Sequence, residues 1–267
     1  MDHLSRLESQ SIYIIREAYY KFPRLALLWS IGKDSTTLLW LCRKAFLGKI
    51  PFPVMHIDTT YKFPEMYAFR DKYAKEYGLD LLVEKNGEAL ARGVSYATHD
   101  AFTCCHELKT LALVQAIKKH DLQAVLVGIR RDEHGIRAKE RYFSPRDENF
   151  NWDYKNQPSE MLGHYKSTTK EGNHLRVHPL LHWTELDIWK YIKRENIPIN
   201  ELYFAKNGQR YRSLGCMPIT TPITSTASNI DEIITELEHS KTAEREGRKQ
   251  DKENAYVMQK LRALGYM

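Results

Sequence analysis

The sequence predicts an α/β protein built on a doubly wound, mostly parallel sheet with flanking helices and a C-terminal extension. Short apolar runs of strand length alternate with longer segments whose apolar residues recur at helical spacing. Polar or glycine-containing turns separate them, and such β-α alternation is typical of parallel sheets covered by helices on both faces. A chain of 267 residues can bury a substantial core around such a sheet.

The alternation is clearest in the first half of the chain. In order, it predicts helix 4–20, strand 25–29, helix 35–46, strand 53–58, helix 64–77, strand 79–84, helix 104–120 and strand 123–129. The helix that follows the first strand shows the pattern well, because it lacks Pro and Gly and places Leu38, Leu39 and Leu41 on one apolar stripe.

Beyond about Gly128 the composition changes: a charged segment is followed by a polar and aromatic segment, and then by a predicted helix that begins near Thr184. We therefore place the sheet-bearing, nucleotide-binding domain at residues 1–195. Residues 196–267 form the predicted C-terminal extension, which we expect to pack near the active site.

Composition narrows the class of protein. The 40 Lys and Arg against 34 Asp and Glu give a net charge of +6, which favours a phosphate- or sulfate-bearing partner. No window approaches the roughly 20 apolar residues of a membrane span, and the first residues lack a signal-peptide core. We expect a cytoplasmic protein without membrane contact, whose four cysteines are too few for a disulfide framework.

The segment Ser30-Ile-Gly-Lys-Asp-Ser35 lies where the first strand becomes a helix. Unpaired backbone N–H groups and the positive end of the helix dipole suit a phosphate there. Gly32 allows close backbone approach, Lys33 adds a charge, and Ser30 and Ser35 offer hydroxyls. Leu27 replaces the first glycine of the common nucleotide loop. An ordinary turn, capped by Asp34 or Ser35, is the alternative interpretation.

Arginines follow a later strand, at Arg130, Arg131 and Arg137. In a parallel sheet this strand end shares an edge with the phosphate loop. Guanidinium forks match sulfate and phosphate oxygens, so this cluster is a candidate oxyanion clamp. Alternatively, Asp132 and Glu133 pair with these cations on a solvated surface.

The histidines do not indicate a metal site. None of the His pairs has the H-E-x-x-H spacing, and His178 and His182 flank a proline. We expect no protein-held metal.

Several segments, in this order, carry a family resemblance. They are Ser11–Glu17, Ser30–Ser35, His56–Thr59 with Lys62-Phe63, Glu65–Asp71, Arg130–Glu133 with Arg137–Arg141, Trp183–Trp189, Arg212–Cys216 and Ala243–Arg248. On these residues the chain resembles, almost end to end, the small subunits of bacterial sulfate adenylyltransferases. These belong to the PP-loop ATP pyrophosphatase group, whose fold is adenine nucleotide alpha hydrolase-like.

The resemblance implies transfer of AMP from ATP to sulfate with release of pyrophosphate. It implies an adenine pocket near Ser30 and Asp58, and a triphosphate held by the loop from Ser30 to Ser35. The residues it implies around phosphates and sulfate are Lys33, Arg130, Arg131, Arg137 and Arg212. It also implies Mg²⁺ bound with ATP, and a GTPase large subunit as partner.

Three features depart from the family pattern. Thr60-Tyr61 replaces an expected Gly-Trp, the stretch from Tyr203 to Arg212 is short, and Cys104-Cys105 forms an unusual pair. The pair leaves open an adenylylsulfate or phosphoadenylylsulfate reductase with an iron–sulfur cluster, or a tRNA sulfur-transfer enzyme. The latter is disfavoured because no RNA-binding appendage is recognisable, so nucleic acid is an unlikely partner. A nucleotide-sensing domain without catalysis is the non-enzyme alternative.

Overall fold

The computed structural model describes residues 1–135, 137–155, 157, 159–160, 165, 173–240 and 244. Six strands form the central sheet: β1 (Leu25–Leu28), β2 (Val54–Ile57), β3 (Leu81–Glu84), β4 (Ala124–Val127), β5 (Phe143–Arg146) and β6 (His174–Val177). Their spatial order is β3-β2-β1-β4-β6-β5, and only β5 runs antiparallel to its neighbour among these pairs. The predicted doubly wound, mostly parallel sheet is confirmed.

Helices connect and cover the strands. They are α1 (His3–Lys21), α2 (Lys33–Ala45), α3 (Pro64–Glu76), α4 (Gly87–Ala91), α5 (Ala101–Cys105), α6 (Ala112–Lys119), α7 (Glu185–Glu195) and α8 (Ile230–His239). Local sequence sets their starts, since the Asp2 side chain accepts from the Ser5 N–H, and Thr184 forms a capping box with Asp187. Among the described residues, no helix is both long and apolar enough to cross a membrane.

The strand order creates a topological switch point between β1 and β4. From β1 the chain proceeds to β2 and β3 on one side, and then returns to place β4 on the other side. The connections diverge at the carboxyl ends of β1 and β4, where open α/β sheets bind their ligands. Burial of all four residues in each of these strands explains their continuous apolar sequence.

Two parts of the sheet region differ from the prediction. Strands β5 and β6 were not predicted, because both are rich in polar residues, including Arg146 and Arg176. The expected single helix over 104–120 instead comprises α5, a π-helical segment (His106–Leu111) and α6. π-Helical turns inside helices are often found at functional sites.

The C-terminal segment returns to the core. Strands β7 (Gln209–Arg210) and β8 (Ile223–Thr224) form a small antiparallel ribbon, and α8 packs against α7. Apolar residues of this segment, such as Leu214 and Ile233, join the main core. The boundary at residue 195 stays a prediction, and of the motif at 243–248 only Glu244 is among the described residues.

Candidate active site

A cavity opens at the carboxyl edge of the sheet, at the switch point. The phosphate loop, the β2–α3 loop, the end of β4, the α5–π-helix region and residues 213–219 line it. Ser30, Gly32, Lys33, Asp34 and Ser35 all contribute to its wall. The predicted phosphate-loop residues therefore surround a single opening.

The phosphate loop changes direction through an unusual backbone conformation. Ile31 has φ of 66°, the left-handed region that a β-branched residue avoids unless surrounding structure enforces it. Helix α2 then begins at Lys33, with no side-chain cap from Gly32. The Lys33 N–H donates to the Tyr203 hydroxyl over 2.8 Å. The α2 amides at this turn have the arrangement that suits an anionic ligand.

Gly128, just after β4, lets that strand end pack closely against the loop. A Cβ atom there would lie 3.0 Å from the Ser35 backbone nitrogen and 3.1 Å from the Asp34 carbonyl oxygen. Both contacts are with backbone, which moves only at a cost to local packing. The absence of a side chain at Gly128 thus allows the end of β4 to lie directly against the start of α2.

One buried carboxylate joins the cations of the site. Glu244 Oε1 lies 2.5 Å from Lys33 Nζ, and Glu244 Oε2 lies 2.5 Å from Arg130 Nη2. Arg130 is fully buried and also pairs with Asp34 and with Asp132, the latter over 2.9 Å. Lys33 and Arg130 thus converge on a single negatively charged group, which is the geometry that a phosphate would require.

Three carboxylates lie close to Lys33 Nζ: Glu244, Asp34 at 3.3 Å, and Glu185. Burial alone would raise the pKa of Glu244, but the charges of Lys33 and Arg130 hold that pKa well below its usual range. Glu185, 3.8 Å from Lys33, has a raised pKa because it is buried and close to Glu244, although Lys33 and Arg212 oppose the shift. The negative charge therefore concentrates on Glu244.

The predicted arginines occupy different environments. Arg137 lines the cavity, and its Nη1 lies 2.5 Å from Glu133 Oε2. The Arg131 guanidinium instead packs 5.4 Å from the centre of the Tyr142 ring, and Arg212 Nη2 lies 2.8 Å from Glu185 Oε2. Neither Arg131 nor Arg212 is among the described residues that line the cavity.

Asp58 lies just after β2, next to the cavity wall. Its Oδ1 accepts from the Thr60 N–H and the Tyr67 hydroxyl, over 2.8 and 2.7 Å. These bonds organise the β2–α3 loop, in which Thr60 has φ of 64°.

Sequence reasoning missed Glu244, Glu185 and Tyr203. Glu244 lies within the segment Ala243–Arg248 and Glu185 within Trp183–Trp189, both of which carry the resemblance. The acidic residues in those two segments could therefore have indicated additional site residues. For Tyr203 the sequence offered no sign, because its contact with the Lys33 N–H joins residues 170 positions apart.

Three cysteines, Cys104, Cys105 and Cys216, line the cavity, whereas Cys42 is buried in α2. Helix α5 begins at Ala101, capped by Asp100, so the paired cysteines do not occupy a helix N-terminus. Burial, together with Cys105 and Cys216, raises the pKa of Cys104 to about 11. Among the described residues no group of three or more Cys, His, Asp or Glu could hold a metal.

We expect the Cys104→Ser, Cys105→Ser double variant to retain the ATP-dependent pyrophosphate formation that the resemblance implies, within about threefold. Adenylyl transfer needs charge and alignment rather than a thiol, and the raised pKa of Cys104 keeps that thiol mostly protonated. Steady-state pyrophosphate release beside the parent protein measures this. Complete loss of activity in a variant with an unchanged circular dichroism spectrum would point to thiol chemistry.

Fold and site together define a nucleotide-binding α/β protein with a PP-loop at the switch point of its sheet. The model of the phosphoadenosine phosphosulfate reductase domain family matches residues 24–222. Sulfate adenylyltransferase subunit 2 of Colwellia psychrerythraea is 43% identical, with 100% of this chain and 99% of the relative covered. The protein of the same name from Methylobacterium sp. strain 4-46 is 45% identical, covering 100% and 95%. The chain belongs to the sulfate adenylyltransferase subunit 2 family.

Solved structures confirm the fold. Phosphoadenylyl-sulfate reductase from Candida auris superimposes with a TM-score of 0.56 at 22% identity, covering 82% of this chain and 96% of that chain. FMN adenylyltransferase from Candida glabrata, in complex with FMN and an ATP analogue, gives a TM-score of 0.55 at 22% identity, covering 82% and 65%. Both support the adenine nucleotide alpha hydrolase-like architecture.

Proposed function

We propose that this chain catalyses the transfer of AMP from ATP to sulfate, forming adenosine 5'-phosphosulfate and pyrophosphate. The observation that carries this assignment to the site is the convergence of Lys33 and Arg130 on one buried carboxylate beside the phosphate loop. Membership of the sulfate adenylyltransferase subunit 2 family supports the reaction itself.

In this proposal the loop from Ser30 to Ser35 and Lys33 hold the triphosphate, with Arg130 and Arg137 on the β4 side. The adenine lies in the apolar part of the cavity, near Met55 and Val127. Sulfate is already an anionic nucleophile, so the protein supplies alignment and positive charge rather than a general base. Arg131 and Arg212 act indirectly, Arg131 through its contact with the Tyr142 ring and Arg212 through its ion pair with Glu185.

The residues of the site are compatible with a Mg²⁺ ion that binds together with ATP. This ion takes one or two protein carboxylates and otherwise phosphate oxygens and water. Asp34, at the cavity wall beside Lys33, is the loop carboxylate in position to contribute. When bound, Mg²⁺ would neutralise part of the triphosphate charge and thereby ease approach of the sulfate dianion.

A partner subunit is part of the proposal. The relatives are named as subunit 2 of their enzymes, and we infer that this chain also works with a larger subunit. We further propose that the partner is a GTPase whose hydrolysis drives the unfavourable formation of the phosphosulfate. The site of action would be the cytoplasm, where ATP and GTP are available.

The direct test measures pyrophosphate release from purified protein with ATP and Mg²⁺. Sulfate and the GTPase subunit are each supplied or withheld. We expect release to require sulfate, and to increase when the GTPase hydrolyses GTP. Sulfate-independent ATP binding without turnover, even with the partner present, would favour the nucleotide-sensing alternative.

Glu244 gives the site an internal competitor for the triphosphate. We expect Glu244→Gln to bind ATP about tenfold more tightly, because the neutral amide no longer holds Lys33 and Arg130. Each lost charged contact is worth about 1.5–3 kcal/mol, but the gain in ATP affinity is smaller because Asp34 and Glu185 take over part of the contact with these cations. Isothermal titration calorimetry measures the affinity. The exposed Glu148→Gln substitution removes the same charge elsewhere and should leave affinity unchanged; weaker binding by Glu244→Gln would contradict competition.

The reductase and tRNA alternatives receive no comparable support. Relatives at 43–45% identity across the whole chain share the adenylyltransferase name. The raised pKa of Cys104 also disfavours sulfur transfer by that thiol.

A further inference from the structure

Lys62 is a cavity-lining lysine whose ammonium forms no ion pair with the residues that the structure describes. The residue is 8% exposed and lines the cavity from the β2–α3 loop. In the described part of the chain, its ammonium group makes no hydrogen bond, ion pair or ring contact. The ammonium is not among the buried polar atoms that lack a partner, so it is accessible from the cavity, where it can donate to an anionic ligand.

The other cations of the site differ in this respect. Lys33 and Arg130 share Glu244, Arg137 pairs with Glu133, and Lys109, which also lines the cavity, interacts with other residues of the protein. Asp58, four residues before Lys62, instead accepts hydrogen bonds from the Thr60 N–H and the Tyr67 hydroxyl. Glu65, three residues after Lys62, has a buried Oε2 that makes no hydrogen bond to a described residue.

The positive charge of Lys62 is also felt by its neighbour His56. Burial lowers the pKa of His56 to about 4, and the charge of Lys62 is the second contributor in the same direction. His56 Nδ1–H donates to the Trp29 carbonyl oxygen over 2.9 Å, while its Nε2 is buried and has no hydrogen-bond partner among the described residues. This neutral imidazole therefore supplies no negative charge to the ammonium.

Sheet topology separates the cations into two sides. Strand β1 carries the phosphate loop in the middle, β4 brings Arg130 and Arg137 on one side, and β2 brings Lys62 on the other. In-line displacement at phosphorus places the attacking and leaving oxygens on opposite sides of the reacting atom. If the leaving pyrophosphate lies along the loop and the β4 arginines, the attacking oxyanion enters from the β2 side.

We propose that Lys62 binds the attacking sulfate, holding the second anion opposite the pyrophosphate. This assignment rests on the proposed adenylyl transfer and deepens it, because it names the group that recognises the acceptor. An oxygen of sulfate becomes bonded to the α-phosphorus as the bond from that phosphorus to pyrophosphate breaks. Lys62 donates hydrogen bonds to the remaining sulfate oxygens and loses no proton.

The test compares the parent with Lys62→Met, Lys62→Arg and the control Lys75→Met, an exposed lysine of α3. With the partner subunit present, we expect Lys62→Met to raise the KM for sulfate about tenfold to a hundredfold, since one charged hydrogen bond is lost. The KM for ATP should change less than twofold. Lys62→Arg should recover part of the loss, and Lys75→Met should match the parent.

Thermal unfolding supplies a readout that does not depend on turnover. Without anions, Lys62→Met should unfold at the same temperature as the parent or higher, because the ammonium makes no ion pair with a described residue that the variant would lose. Addition of sulfate with α,β-methylene ATP should stabilise the parent and not Lys62→Met. A purely structural lysine would instead give a destabilised variant that retains the response to sulfate.

The results distinguish a failure of the Lys62 assignment from a failure of the proposed function. An active parent with an unchanged sulfate KM in Lys62→Met overturns the role of Lys62 alone. Weaker ATP binding with an unchanged sulfate KM assigns Lys62 to the triphosphate and also overturns it. A parent that forms no pyrophosphate with sulfate contradicts the proposed function, and the sulfate-dependent shift in unfolding temperature then decides whether Lys62 binds an oxyanion.

Discussion

Replacing Arg137 with lysine is expected to slow pyrophosphate formation by about thirtyfold to a thousandfold at saturating ATP and sulfate. Arg137 is the arginine of the predicted clamp that lines the cavity, and Glu133 fixes its orientation over 2.5 Å. A lysine keeps the charge but replaces a planar fork by a point donor. Losing a well-placed donor to developing transition-state charge costs about 2–4 kcal/mol.

The matched comparison is Arg131→Lys, the adjacent arginine whose guanidinium packs against the Tyr142 ring. Because that position lies outside the described cavity wall, we expect its rate loss to be at least tenfold smaller than that of Arg137→Lys. Single-turnover kinetics with both variants, beside their ATP affinities, measures the difference. Equal losses, or a greater loss at Arg131, would assign the transition-state contact to Arg131.

The contrast between these two arginines shows the limit of prediction from sequence. The order of strands and turns predicts that Arg130, Arg131 and Arg137 follow a strand at the ligand-binding edge. It does not predict which guanidinium faces the opening, because the 3-10 turn at Arg131–Glu133 rotates successive side chains away from one another. Side-chain direction depends on backbone angles that the strand pattern does not determine.

The core strands were predictable for a physical reason. Strands buried on both faces must be apolar throughout, and β1 and β4 are fully buried. Strands β5 and β6 escaped prediction because buried charges replace apolar residues there: Arg146 Nη2 lies 2.8 Å from Glu140 Oε1. Burial lowers the pKa of Arg176 to about 9, further than the charge of Glu140 can offset. Such long-range compensation leaves no local pattern.

The phosphate loop was predictable in place but not in its charge state. Its residue types and its position between strand and helix indicate an anion site. Glu244 forms ion pairs with Lys33 and Arg130, which lie more than 100 positions away in the sequence. These ion pairs therefore depend on the tertiary fold. The site is therefore a nearly neutral network in this structure, and not the open positive pocket that the composition suggests.

Lys33→Met is expected to weaken ATP binding by about tenfold to a hundredfold, the largest loss of nucleotide affinity among the substitutions considered. Lys33 is buried at the start of α2, and its ammonium contacts Glu244 Oε1 over 2.5 Å and Asp34 Oδ2 over 3.3 Å. Methionine keeps the length and apolar stem but removes the charge, so a charged contact worth about 1.5–3 kcal/mol to a phosphate oxygen is lost.

Removing this charge also has an effect on the nucleotide-free protein that separates ligand binding from folding. Without Lys33, Arg130 is the close partner that Glu244 retains in the described part of the chain. The unfolding temperature should therefore fall, and Glu244→Gln added to Lys33→Met should restore part of it. ATP affinity should not recover in the double variant, because the phosphate still lacks its cation. Differential scanning calorimetry and isothermal titration calorimetry measure the two quantities, with the exposed Lys49→Met as control. Recovery of ATP affinity together with stability would mean that Lys33 acts only by holding Glu244, and the loop would then bind the triphosphate through its backbone amides alone.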